Sequence, residues 1–96
     1  MYTRDQNDLT IHFPANLDTV TCLDFEDELY QKVKETEGVV IFDLCDVNYI
    51  ASMFLRICLR VTKDVGPERL RICNIQPAVM KVFKISALDK HLTLEV

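Results

Sequence analysis

Ser52, Asp18, Asp43, two histidines and four cysteines are the side chains through which this 96-residue sequence could do chemistry. No cysteine pair has CxxC spacing, and neither His12 nor His91 lies near a cysteine in sequence. A zinc site is therefore not indicated, because one turn must usually deliver two ligands at once. Cys22, Cys45, Cys58 and Cys73 each sit in an apolar-patterned position and are expected to be buried, reduced thiols. Asp18 and Asp43 would converge only through the fold, and a carboxylate pair without a metal or cofactor motif is weak support for acid–base catalysis. Neither histidine has a nucleophile beside it, and two glycines cannot build a GxGxxG or P-loop. No catalytic residue, metal or cofactor is assigned. Ser52 stands apart because it opens a predicted helix. Its plainer role there is an N-cap, and the residues alone favour it. Its functional role would be a phosphoacceptor, since free N–H groups and the helix dipole favour negative charge.

The surrounding elements follow from hydrophobic period. Leu9, Ile11 and Phe13 alternate with Thr10 and His12 as in a half-buried strand. Tyr2 to Asp5 can precede it, turning back through Gln6–Asn7–Asp8. Pro14 to Asp18 connects to a helix expected from Thr21 to about Glu35, with Thr21 as cap and Asp24 as a partial capping box. Cys22, Phe25, Leu29 and Val33 give its core stripe, and its acidic run is a solvated face. Val39 to Phe42, an unbroken apolar run, reads as a central strand buried on both faces, with Asp43 at its carboxyl end, and Asp46 to Tyr49 as a loop. Ser52 to Val65 is a second helix, broken by Gly66–Pro67. Arg69 to Ile75 alternates as a strand. Pro77 starts a third helix that runs to about Ala87, with Val79, Val82, Phe83 and Ser86 on one face, and Leu92, Leu94 and Val96 form a last strand.

Strands and helices alternate, so the fold class is α/β: one small domain over residues 1–96, with a mixed, mostly parallel sheet of four to five strands and three main helices. The composition, 49% hydrophobic and 27% charged, is that of a folded chain. The net charge of −4 lacks the basic footprint of a nucleic-acid binder. No apolar run reaches membrane-spanning length, and the polar start carries no signal core, so the expected location is cytoplasmic.

At this point the sequence resembles a STAS domain, the fold of bacterial anti-anti-sigma factors (anti-sigma factor antagonists). Three blocks carry the likeness: Val39 to Ile50 as the central strand and following loop, Ala51-Ser52-Met53-Phe54-Leu55 on the family's Asp-Ser-Ser-Gly-Leu segment, and Pro77 to Lys90 as the third helix and its exit. Asn16-Leu17-Asp18 is similar to the end of the family's Gly-Glu-Leu-Asp turn. The resemblance implies partner switching, with Ser52 as the phosphoacceptor and Asn16, Asp18, Ala51, Ser52, Met53, Phe54 and Arg56 on the partner-binding surface. The implied partners are an anti-sigma factor kinase of the GHKL ATPase type or another regulatory protein, a phosphatase, and a second copy of the chain as a homodimer. Ala51 replaces the family's acidic residue, and Met53–Phe54 replace Ser–Gly. These two apolar side chains form a contact patch if exposed and core if turned inward. The family also holds unphosphorylated interaction modules, among them subunits bound to ABC transporter ATPases and signalling scaffolds.

Overall fold

The computed structural model describes all 96 residues. The elements are β1 (Tyr2–Asp5), β2 (Asp8–His12), β3 (Asn16–Leu17), α1 (Thr19–Lys34), β4 (Val40–Asp43), β5 (Tyr49–Ile50), α2 (Ser52–Val65), β6 (Leu70–Cys73) and α3 (Pro77–Ile85), followed by a 3-10 turn over Leu88–Lys90. The main sheet has the order β1-β2-β4-β6. β1 and β2 are an antiparallel hairpin, while β2, β4 and β6 run parallel. Leu94 makes a parallel bridge to Ile72, and backbone bonds from Ile72 and Glu95 extend it into a fragment of a fifth strand. The expected α/β, mixed and mostly parallel sheet with three helices is the observed architecture.

Alternation along the strands decides which face is covered. Leu9, Ile11, Val40, Phe42, Leu70 and Ile72 are buried, whereas Thr10, His12, Ile41, Asp43, Arg71 and Cys73 on the other face are half-buried or exposed. The covered face meets α1 through Cys22, Leu29 and Val33 and α2 through Phe54, Ile57, Cys58 and Val61. Phe13 sits among three rings, with centroids 5.1 Å from Phe42, 5.0 Å from Phe54 and 5.6 Å from Phe25. Tilted and edge-on rings at this spacing attract beyond simple burial. This cluster ties β2, β4, α1 and α2 into one core.

Some boundaries differ from the sequence expectation. α1 begins at Thr19 because Asp18, not Thr21, caps it: Asp18 Oδ1 accepts the Thr21 N–H at 2.8 Å. The acidic run of Asp24 to Glu28 thus lies beyond the first turn. α3 stops at Ile85, since Ala87 adopts a left-handed backbone (φ 61°), and Ser86 is exposed, its hydroxyl donating to the Val82 carbonyl. Tyr49 and Ile50, expected as loop and loop end, form β5, which pairs in parallel with β3.

Replacing Phe13 by Ala removes the ring shared by four elements. The expected cost is about 3–5 kcal/mol. Urea unfolding followed by circular dichroism should show a large fall in midpoint with the native fold retained at low denaturant.

Candidate functional site

The β3–β5 pair places the starts of α1 and α2 side by side. Asn16 is opposite Tyr49 and Leu17 opposite Ile50. The Ala51 N–H donates to the Leu17 carbonyl at 2.9 Å, and the Asn48 N–H to the Ala15 carbonyl at 2.9 Å. Leu17 and Ile50 are buried, while Asn16 and Tyr49 face solvent, so the inward pair anchors an outward one. Asn16 Nδ2 reaches Asp18 Oδ2 at 3.4 Å. The Thr21 N–H holds the Asp18 carboxyl below its usual range by favouring the charged form.

Ser52 is the first helical residue of α2 and is exposed. The expectation that it caps the helix is corrected: Ala51 holds the cap position, with extended backbone (φ −91°, ψ 168°) and no side-chain cap bond. The Ser52 hydroxyl is not spent on the backbone and faces solvent. Arg56, four residues on, is exposed on the same side of the helix. Met53 is half-buried against the core. Phe54 is corrected as well. It is fully buried, packed on Phe13 and Phe42, and belongs to the core instead of a contact surface. Asn16, Asp18, Ala51, Ser52, Met53 and Arg56 therefore share this edge, and Phe54 holds it from beneath.

Three apolar side chains that the sequence reading left out open on the same edge of the fold. Val20 is 69% exposed, Leu23 56% and Tyr49 52%. The signal for the first two is their position on α1, off the stripe of Cys22, Phe25, Leu29 and Val33. An apolar residue outside the core stripe of an amphipathic helix has no intramolecular reason to be apolar.

Asp43 lies at the carboxyl end of β4, in register with His12 and Cys73 on the sheet face that is not buried. His12 Nδ1 sits 3.0 Å from its Oδ2, while Asn74 Nδ2 and the Cys45 N–H donate to its Oδ1. Burial pushes this carboxyl up, but the Asn74 and Cys45 bonds and His12 together outweigh it and leave it below the ordinary range. The cysteines depart from expectation in part. Cys22 and Cys58 are buried, but Cys45 is exposed and Cys73 half-buried, because Cys45 follows the strand end in a turn. Desolvation raises all four thiols, Cys22 to about 11. None is a ready thiolate at neutral pH.

The STAS domain family matches residues 1–96. The chain belongs to the STAS family. A Bordetella bronchiseptica protein named as an anti-sigma factor antagonist, BtrV, is 38% identical over 63 residues, which cover 64% of this chain and 54% of that relative. An anti-sigma factor antagonist from Mycobacterium paratuberculosis superposes with a TM-score of 0.87 at 20% identity, over 99% of this chain and 82% of that one. The phosphorylated form of the Bacillus cell fate determinant SpoIIAA superposes at 0.74 and 14% identity, over 100% of this chain and 90% of that one. The STAS fold of this chain is thus the fold of anti-sigma factor antagonists. None of its helices is long and apolar enough to cross a membrane.

The depressed carboxyls of Asp18, Asp43 and Glu95, the last held down by the Arg71 guanidinium, fix a pH response. A folded pKa below the unfolded value of about 4 adds stability above that value, and the gain is lost as pH falls through the folded pKa. Acid titration should therefore show destabilisation below about pH 4. Asp43→Asn should flatten the dependence, and an unchanged acid limb in that variant would contradict the assignment.

Proposed function

We propose that this chain is an anti-sigma factor antagonist in a partner-switching system, binding a regulatory protein through the edge formed by Asn16, Asp18, Tyr49, Ala51, Ser52, Met53 and Arg56 and released by phosphorylation of Ser52. The observation that carries this reading is the Ser52 hydroxyl, exposed at the first residue of α2 and free of any cap bond. It stands where the family motif has its phosphoacceptor. BtrV, the relative named as an anti-sigma factor antagonist, supports the same class. The partner is an anti-sigma factor kinase of the GHKL type, working in the cytoplasm. Ser52 Oγ attacks the γ-phosphorus of ATP, the bond to ADP breaks, and the hydroxyl proton passes to a base of the kinase. A phosphatase returns the hydroxyl by hydrolysis. The chain acts by binding, not by catalysis. Val20, Leu23 and Tyr49 supply the apolar contacts of the unmodified complex, and a phosphate adds about −1.5 to −2 charges beside them.

A second reading, an unphosphorylated STAS module bound to a transporter ATPase or a scaffold, is favoured by Ala51 and Met53. Ala51 offers no carboxylate before the serine, and Met53 gives a bulky apolar side chain where the family has a small polar one.

Incubation with a cognate GHKL-type anti-sigma factor kinase and ATP should add one phosphate, read by intact mass, and Ser52→Ala should add none. Ser52→Ala should keep the partner, whereas Ser52→Asp and Leu23→Asp should each weaken binding, the latter by roughly thirtyfold as for a loss of about 2 kcal/mol. Equal binding by Ser52→Ala and Ser52→Asp, with loss in Met53→Asp, would select the second reading.

A further inference from the structure

At the opposite end of the helix pair from Ser52, α1 and α2 finish side by side and leave an open groove of about 440 Å³. That volume is within the range of small-molecule sites. Val33 and Val65 give it an apolar floor, together with the Tyr30 ring. Lys34 comes from α1, Arg60 from α2 and Arg69 from the segment entering β6.

Two of these cations are held in place. The Arg60 guanidinium lies 4.0 Å over the centroid of the Tyr30 ring, whose hydroxyl donates to Glu26 Oε2 at 3.0 Å. Arg69 Nε donates to the Gly38 carbonyl at 2.9 Å and its Nη2 to the Thr36 carbonyl at 2.7 Å, which leaves Nη1 unspent. The chain's ion pairs are His12–Asp43 and Arg71–Glu95, so no carboxylate neutralises Lys34, Arg60 or Arg69 at close range. Asp64 is the only acid lining the groove. Three cations against one carboxylate leave an excess of two positive charges, in a chain whose net charge is −4. The helix ends reduce this excess without cancelling it. The Glu35 N–H takes the Gln31 and Val33 carbonyls and the Gly66 N–H takes that of Thr62, and the two helix C-termini, at about half a negative charge each, still leave roughly one positive charge in excess. A guanidinium stacked on Tyr30, the free Nη1 of a fixed Arg69 and the Lys34 ammonium over an apolar floor suit a compact anion that carries a hydrocarbon body.

We propose that this groove binds a small organic dianion of the phosphate monoester class, its charged head between Lys34, Arg60 and Arg69 and its apolar body on Val33 and Val65. The site lies outside the Ser52 edge and stands whether or not Ser52 is phosphorylated.

The test titrates phenyl phosphate into the full chain and follows backbone amide shifts by NMR. Saturable shifts should centre on Tyr30, Lys34, Arg60 and Arg69, and inorganic phosphate, which lacks the apolar body, should bind at least several-fold more weakly. Lys34→Ala and Arg60→Ala should each weaken binding by about tenfold or more. Lys34 is exposed, so its removal leaves the fold intact, which circular dichroism checks. Lys81→Ala, on α3 outside the groove, should bind as the parent chain does. Shifts scattered over the α3 lysines, or an unchanged affinity in Lys34→Ala, would overturn the proposal. Equal binding of phenol and phenyl phosphate, or of inorganic and phenyl phosphate, would do the same.

Discussion

Between β3 and β5 only two residues pair on each side, yet everything at the Ser52 edge is positioned by them. Leu17 and Ile50 point inward and are buried, which fixes the register: a slip of one residue would expose both and bury Asn16 and Tyr49. With the register fixed, the Ala51 N–H meets the Leu17 carbonyl, and the next residue along each chain becomes a helix start. A two-residue ladder has no stability of its own. It persists because the Phe13 cluster holds α1 and α2 against the same sheet face, so the core makes the ladder and the ladder makes the site.

The two helix starts, though adjacent, are finished differently. Asp18 caps α1 with a charged acceptor, whereas α2 begins behind Ala51 with no side-chain cap. An alanine at this position forgoes about 0.5–2 kcal/mol relative to a good capping residue. The loss is offset by burial, since Phe54 enters the core within the first turn of α2. The helix is thus anchored by an apolar side chain, and its polar opening is left free for an external group. A locally suboptimal terminus supported by a well-packed core is the kind of inconsistency that marks functional positions.

Periodicity was sufficient to read α2 over its observed residues, the alternation of β2 and β6, and the α/β class, because each involves a run long enough to repeat. The unbroken apolar run of β4 pointed instead to burial on both faces, whereas Ile41 is only half-buried because the helices cover one face of the sheet. β5 was not legible, since two residues have no period. The cap of α1 was not legible either: Asp18 and Thr21 are both good capping types, and the choice falls to Asp18 only because β3 ends at Leu17. Phe54 and Met53 illustrate a second limit. Adjacent apolar residues at a helix start can face either way, and Phe13 and Phe42, distant in sequence, decide that Phe54 turns inward. For Val20 and Leu23 the sequence did hold the signal, as apolar residues off the core stripe.

The same contacts constrain how a modification at Ser52 could be read. The residue before it is tied to β3 by the Ala51–Leu17 bond, and two residues after it Phe54 is fixed in the core. The backbone at Ser52 is therefore pinned on both sides. A helix N-terminus also accommodates negative charge without melting, because its free N–H groups and dipole favour it. A phosphate there would leave the fold as it is and alter only charge and bulk on a surface that otherwise offers Tyr49, Val20 and Leu23. Discrimination between the two forms must then reside in the partner's complementary surface, which loses apolar contact and meets a new dianion, and not in a conformational change of this chain.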